Sequence, residues 1–200
     1  MVKSHISFKI LIILHCISSP SYAEKISLKK IDKYINELTT IKANFEQINS
    51  DGSIDKGMLY IRKPGKMRLE YEHPSNAMVI AGAGSVTIFD GKTQNDPIQF
   101  PLKHTPLKLL LNENVNLVEN NMIIEHSVNG KNNHIVVQDP KKLSQGKIEI
   151  VFSSNPFDLL GWILTNQSNQ KTTVRLSQLN KNINIPLYLF NINSVDKNKN

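Results

Sequence analysis

Cysteine is nearly absent: one residue in 200, Cys16. No internal disulfide framework can form, and no zinc site built from several thiolates. Aromatic residues are sparse at 6%, and glycine and proline number only nine each. This excludes collagen-like and low-complexity architectures. No run of five or six like charges occurs, although the formal charge is +7. A diffuse basic surface of this kind is not the footprint of a nucleic-acid binder. G-x-S-x-G, P-loop and H-E-x-x-H motifs are missing. The histidines His73, His104, His126 and His134 show no metal-ligand spacing, and His126 and His134, on adjacent predicted strands, read as solvated. No Asp/Glu pair carries a catalytic signature, so the chain reads as a binding protein and not an enzyme.

What is present is an apolar content of 40% with 20% charged residues, enough for one core-forming domain. Residues 1–23 read as a cleaved secretory signal: Lys3 and Lys9, an apolar run from Ile10 to Ile17, and small residues ending at Ala23. The run is far short of the ~20 residues a spanning helix needs. Cys16 lies inside it behind His15 and so does not read as a lipidation site. Residues 24–200 then form a single domain, free of cysteine and so safe from mispairing in an oxidising compartment.

The mature chain begins with a helical pattern. Leu28, Ile31, Ile35 and Leu38 share one face, with Ser27 as N-cap. From Ile41 the period becomes two and strands follow one another at short turns such as Asp51-Gly52, Pro64-Gly65, Asp90-Gly91 and Asn129-Gly130. Thr105-Pro106 predicts an N-cap and first residue of a short apolar helix over Leu107–Asn112. Pro186–Ile192 predicts a last strand, and Asp196–Asn200 a frayed tail. About ten strands joined by short turns must be antiparallel. A sheet this wide curls, and two helices cannot fill its concave side. On pattern alone, a two-layer sandwich with a filled core remains an alternative to a partial barrel with a cavity.

Phe45-Glu46-Gln47, the run Gly57-Met58-Leu59-Tyr60-Ile61-Arg62-Lys63-Pro64-Gly65-Lys66-Met67-Arg68-Leu69-Glu70-Tyr71, and Pro74 come first in a series. Phe89-Asp90, Thr105-Pro106-Leu107 with Leu110-Leu111, Trp162, Thr173-Val174-x-Leu176 and Pro186-Leu187-x-x-Phe190 follow in order. This series resembles the periplasmic outer-membrane lipoprotein carriers of the LolA type. The resemblance implies a mainly β fold with a few helices: an unclosed antiparallel half-barrel with a helical lid over an apolar cavity. It implies a monomeric carrier without cofactor or reaction. Its cargo would be triacylated lipoproteins, received from an inner-membrane ABC transporter and passed to an outer-membrane acceptor. Phe45, Leu59, Ile61, Met67, Leu69, Tyr71, Ile88 and Trp162 would line the acyl-chain cavity. Leu107, Leu110 and Leu111 would belong to the lid. The family commonly has Arg before the Pro of the Pro64-Gly65 hairpin, where it holds the lid closed. Here Lys63 stands there, after Arg62, and either is a candidate latch. The alternative function is a periplasmic lipoprotein-sensing or interaction module on the same half-barrel.

Overall fold

The computed structural model describes residues 24–93 and 95–195. The expectations for the leader 1–23, for Cys16 and for the tail Asp196–Asn200 lie outside the described residues. The domain opens with helix α1 (Leu28–Glu37). Ser27 caps it: its hydroxyl accepts a hydrogen bond from Lys30 N, satisfying one of the donors a helix start leaves free. Ile31 and Ile35 are buried beneath it.

Eleven strands follow: β1 (Thr40–Ile48), β2 (Ile54–Arg62), β3 (Lys66–Tyr71), β4 (Met78–Gly82), β5 (Ser85–Phe89), β6 (Ile98–Pro101), β7 (Ile123–Asn129), β8 (Asn132–Val137), β9 (Lys147–Ser154), β10 (Phe157–Thr165) and β11 (Lys171–Lys181). They form one antiparallel sheet in the order β6-β5-β4-β3-β2-β1-β11-β10-β9-β8-β7, not two packed sheets. The sheet is unclosed. β6 and β7 stand at its opposite edges although they are consecutive strands. The chain between them, residues 102–122, must therefore pass from one edge to the other, and it carries helix α2 (Leu107–Leu111). This forced crossing, with α1, covers the concave face.

Register sorts the side chains. Ile41↔Ile61↔Met67↔Ala81↔Val86 and Ala43↔Leu59↔Leu69↔Val79↔Ile88 run across the first half as two rows on one face. Across the other half, Val174↔Trp162↔Ile150↔Ile135 continues that face. These rows, except Ile88, belong to or pack on the core together with Ile31, Ile35, Leu107, Leu110, Leu111, Val115 and Leu117. On the other face polar and charged residues are interspersed with apolar ones such as Val136 and Ile163, and the C-terminal segment lies over β3 and β4.

That segment corrects one expectation. Pro186–Ile192 is not a strand but contains a 3₁₀ turn at Leu187–Phe190, lying against β3 and β4 on the convex side. Both neighbours of β1 are already taken, so no ladder is open to it there. Two carbonyls there are taken by arginine side chains: Arg62 Nη1 donates to Ile185 O, and Arg68 Nη1 donates to Leu189 O at 2.9 Å; local turns take Pro186 O, Tyr188 O and Ile192 O. Ile185 and Phe190 are buried there, and Ile80 points to the same side and is fully buried. A second correction concerns α2. Pro106, not Thr105, is its N-cap, and the Thr105 hydroxyl donates back to Leu102 O.

Gly57 marks the tightest strand approach near the concave rows. A Cβ there would sit 1.9 Å from Glu70 O and 2.8 Å from the Phe45 ring. Gly57→Ala is expected to lower the unfolding free energy by about 2 kcal/mol or more, because strand spacing or the Phe45–Tyr71 edge-to-face pair must give way. Urea unfolding of the two proteins checks this.

Candidate functional site

The concave face and its cover form the candidate site. Leu59, Ile61, Met67 and Trp162 are each 2% exposed or less, Phe45 and Leu69 are buried, and Tyr71 and Ile88 are half-buried. Seven of these eight residues pack in one apolar cluster with the cover, while Ile88 stands opposite Val79 at its margin. Tyr71 directs its hydroxyl to Gln47 Oε1 at 2.7 Å. Leu107, Leu110 and Leu111 are buried on the underside of α2. In this conformation the concave face is therefore covered, its apolar rows buried against α1, α2 and the crossing segment.

Few polar ties hold the cover down. Lys63 closes the Leu59–Ile61–Lys63 alternation on the concave side, and its Nζ donates to Ile35 O in the last turn of α1 at 2.7 Å. A helix C-terminus offers unpaired carbonyls and negative partial charge, so a cation is favoured there. Arg62 turns to the convex face instead, onto Ile185 O. The two candidate latches are thus separated by strand alternation: one touches the helix and the other the C-terminal segment. α2 is tied to the same hairpin, with Gly65 N donating to Leu111 O at 2.8 Å.

The flanks of α1 carry ties that the sequence did not single out. Asn36 Nδ2 donates to Val115 O at 2.8 Å, and Val115 N donates to Asn36 Oδ1 at 2.7 Å. One turn back, Asp32 accepts from Leu117 N at 3.3 Å. Asp32 and Asn36 are an i, i+4 pair, so one helix face binds the 115–117 loop to α1. On the opposite flank, the Tyr34 hydroxyl donates to the Asp158 carboxylate, which also takes Lys181 Nζ at 2.8 Å. Burial and then this carboxylate raise the Tyr34 pKa, so the phenol stays a donor. Burial alone would raise Asp158, but the bonds from Lys181 and Tyr34 outweigh it and hold it below the usual carboxylate range. Before α1, buried Asn133 accepts from Ile26 N at 2.9 Å and anchors the helix's entry. Except for Lys181–Asp158, these contacts join residues about 80 to 125 positions apart, which no local pattern reveals.

The two strand histidines are not both solvated. His134 Nδ1 lies 2.6 Å from Glu149 on the convex face. His126 lies opposite Ile135 on the concave side, with a buried Nε2 that has no hydrogen-bond partner among the described residues. Among the described residues no helix is long and apolar enough to cross a membrane, and no His/Cys/Asp/Glu cluster could hold a metal ion.

Similar proteins fit this geometry. The family model "Outer membrane lipoprotein carrier protein LolA" matches residues 36–193. A protein of Legionella pneumophila (strain Lens), named outer-membrane lipoprotein carrier protein, is 25% identical over 92% of this chain and 94% of its own. A protein of the same name from Methylococcus capsulatus is 24% identical over 92% of each. The crystal structure of a DUF1329 family protein from Desulfovibrio piger shares the fold at a TM-score of 0.50 and 9% identity, over 84% of this chain and 96% of that one.

Burial lowers the Lys63 ammonium to a pKa of about 8 from 10.5. Between those values the unfolded chain binds the proton and the folded chain does not, so Lys63 contributes a stability that rises with pH. The cost of burying its charge is fully present below pH 8 and relieved above 10.5. Lys63→Met removes this dependence. Its stability relative to the parent should fall as pH goes from 7 to 10, measured by denaturant unfolding; a constant difference would contradict the burial of this charge.

Proposed function

Because the chain belongs to the LolA family of outer-membrane lipoprotein carrier proteins, we propose that it binds the acyl chains of triacylated lipoproteins under the α1–α2 cover and carries them across the periplasm. The observation that supports this most is the apolar concave face, covered by two short helices and a loop that hydrogen-bond to the sheet at a few points only. Such a cover can lift without breaking a strand pair. Burying an acyl chain gains about 0.8 kcal/mol per CH₂, so a lipid anchor cannot cross water unaided and a portable apolar site removes that barrier.

In this reading Lys63 is the latch. Its bond to Ile35 O favours the closed, empty carrier, and cargo must displace it. An inner-membrane ABC transporter supplies the cargo and an outer-membrane acceptor receives it. The protein acts as a monomer after removal of the 1–23 leader, and no bond is made or broken. The eight concave-face residues from Phe45 to Trp162 make the acyl site, and Leu107, Leu110 and Leu111 of α2 are exchanged for cargo on opening.

Mass spectrometry of the protein purified from its own periplasm tests the reading: acylated polypeptide should co-purify, and its absence from the native protein would count against a carrier. A second outcome concerns rate. Lys63→Leu removes the bond to Ile35 O and adds apolar surface on the concave face, so the open, loaded state gains. Hand-over from loaded carrier to acceptor membranes should slow by about tenfold, whereas Lys63→Arg should transfer at or above the parent rate. Equal rates for all three would leave Lys63 without a latch role.

A further inference from the structure

Beside α2 the apolar interior meets a small donor-lined cleft. One wall is the outer side of α2 and its end, with Lys108 and Asn112; the other is the 139–146 loop, with Lys142 and Gln145. The inner wall is Leu109, buried in the core, and Met122, packed against that core. The space is about 60 Å³, room for one ester-sized group or about two waters. The loop is held in place: Gln138 Nε2 donates to Leu143 O and Gly146 O, and Gly146 lies directly against Thr165 O. None of the four donor side chains makes a hydrogen bond to another described residue.

We propose that this cleft is a head-group subsite that takes the ester carbonyls of the diacylglyceryl group, placing them at the rim while the chains run inward past Leu109 and Met122. The inference rests on the carrier reading above and names the polar half of the ligand that it requires. Acyl chains cannot be buried without bringing their ester groups to the edge of the apolar region, where an unpartnered carbonyl is costly. Lys108, Lys142, Asn112 and Gln145 are donors to such oxygens. Asp139 also lines the cleft, with one carboxylate oxygen accepting from Lys141 N at 2.9 Å in its own turn. Asp139 offsets one of the two lysine charges, and an ester carbonyl accepts from a lysine or amide donor there without setting a second anion beside that carboxylate.

The test compares two synthetic lipopeptides on the purified protein. They share the N-acylated cysteine, peptide and chain length; one has glyceryl esters and the other glyceryl ethers, which lack the carbonyls. The parent should bind the ester form about tenfold more tightly, the worth of one well-made hydrogen bond or two weak ones. Lys108→Met combined with Lys142→Met should bring the ester form down to the ether form and leave ether binding unchanged, which also reports an intact fold. Equal binding of both forms by the parent, or a preference that survives the double substitution, overturns the subsite while leaving the carrier reading in place. Binding of neither form overturns both. A dipalmitoyl phosphatidylcholine competitor identifies the source of the esters: failure to displace the lipopeptide assigns the cleft to lipoprotein, and displacement at equal concentration extends it to membrane lipid.

Discussion

An apolar face several strands wide has to be kept out of water, and nothing in an eleven-stranded unclosed sheet does that by itself. The sheet curls but does not shut, so its concave rows, Ile41 to Val86 and Ala43 to Ile88, need a second layer. Among the described residues that layer is α1, α2 and the crossing between β6 and β7. That cover is separable because its backbone joins no strand ladder. Burial of Ile31, Ile35 and the α2 leucines holds it on, and a few hydrogen bonds at its margins fix where it sits. Burial is non-directional and is recovered when acyl carbon replaces helix side chains; the hydrogen bonds are directional and are not. In the proposed carrier, the opposition between these two terms would let the empty protein close and the loaded protein open.

The back of the sheet is treated differently. Arg62 and Arg68 reach from β2 and β3 to the carbonyls of the C-terminal segment, and Ile185 and Phe190 are buried on that side. Guanidinium groups suit this task because they present several donors in a fixed plane. The convex side thus gains a strap across β3 and β4 while the concave side is covered by α1, α2 and the crossing. Neighbouring residues 62 and 63 serve the two sides through nothing more than strand alternation.

Much of this was legible in the sequence. Alternation from Ile41 onward placed Leu59, Ile61, Met67 and Leu69 on one face, and the Leu28–Leu38 spacing with Ser27 placed α1, because both are local patterns whose period survives folding. The crossing of the cover follows from topology, which only the full strand order reveals. Pro186–Ile192 has apolar residues at nearly every second position and so reads as a strand; whether it joins the sheet depends on free edges, a global property. The Tyr34–Asp158–Lys181 cluster and the Asn36–Val115 pair are invisible beforehand, since nothing in the local sequence of one partner points to the other until folding brings them together. His126 and His134 were misjudged together because one unit of register sends the first inward and the second outward.

The central claim is that the cover lifts from an intact sheet when an acylated ligand enters. Amide hydrogen exchange with and without a synthetic triacylated lipopeptide measures this most directly, with residues 28–37 and 107–111 as the reporter and β2 and β3 as the internal reference. Exchange in the two helices is predicted to rise on binding while that of the strands stays unchanged. Saturating lipopeptide that leaves helix exchange unaltered, or that loosens β2 and β3 to the same degree, would contradict the account.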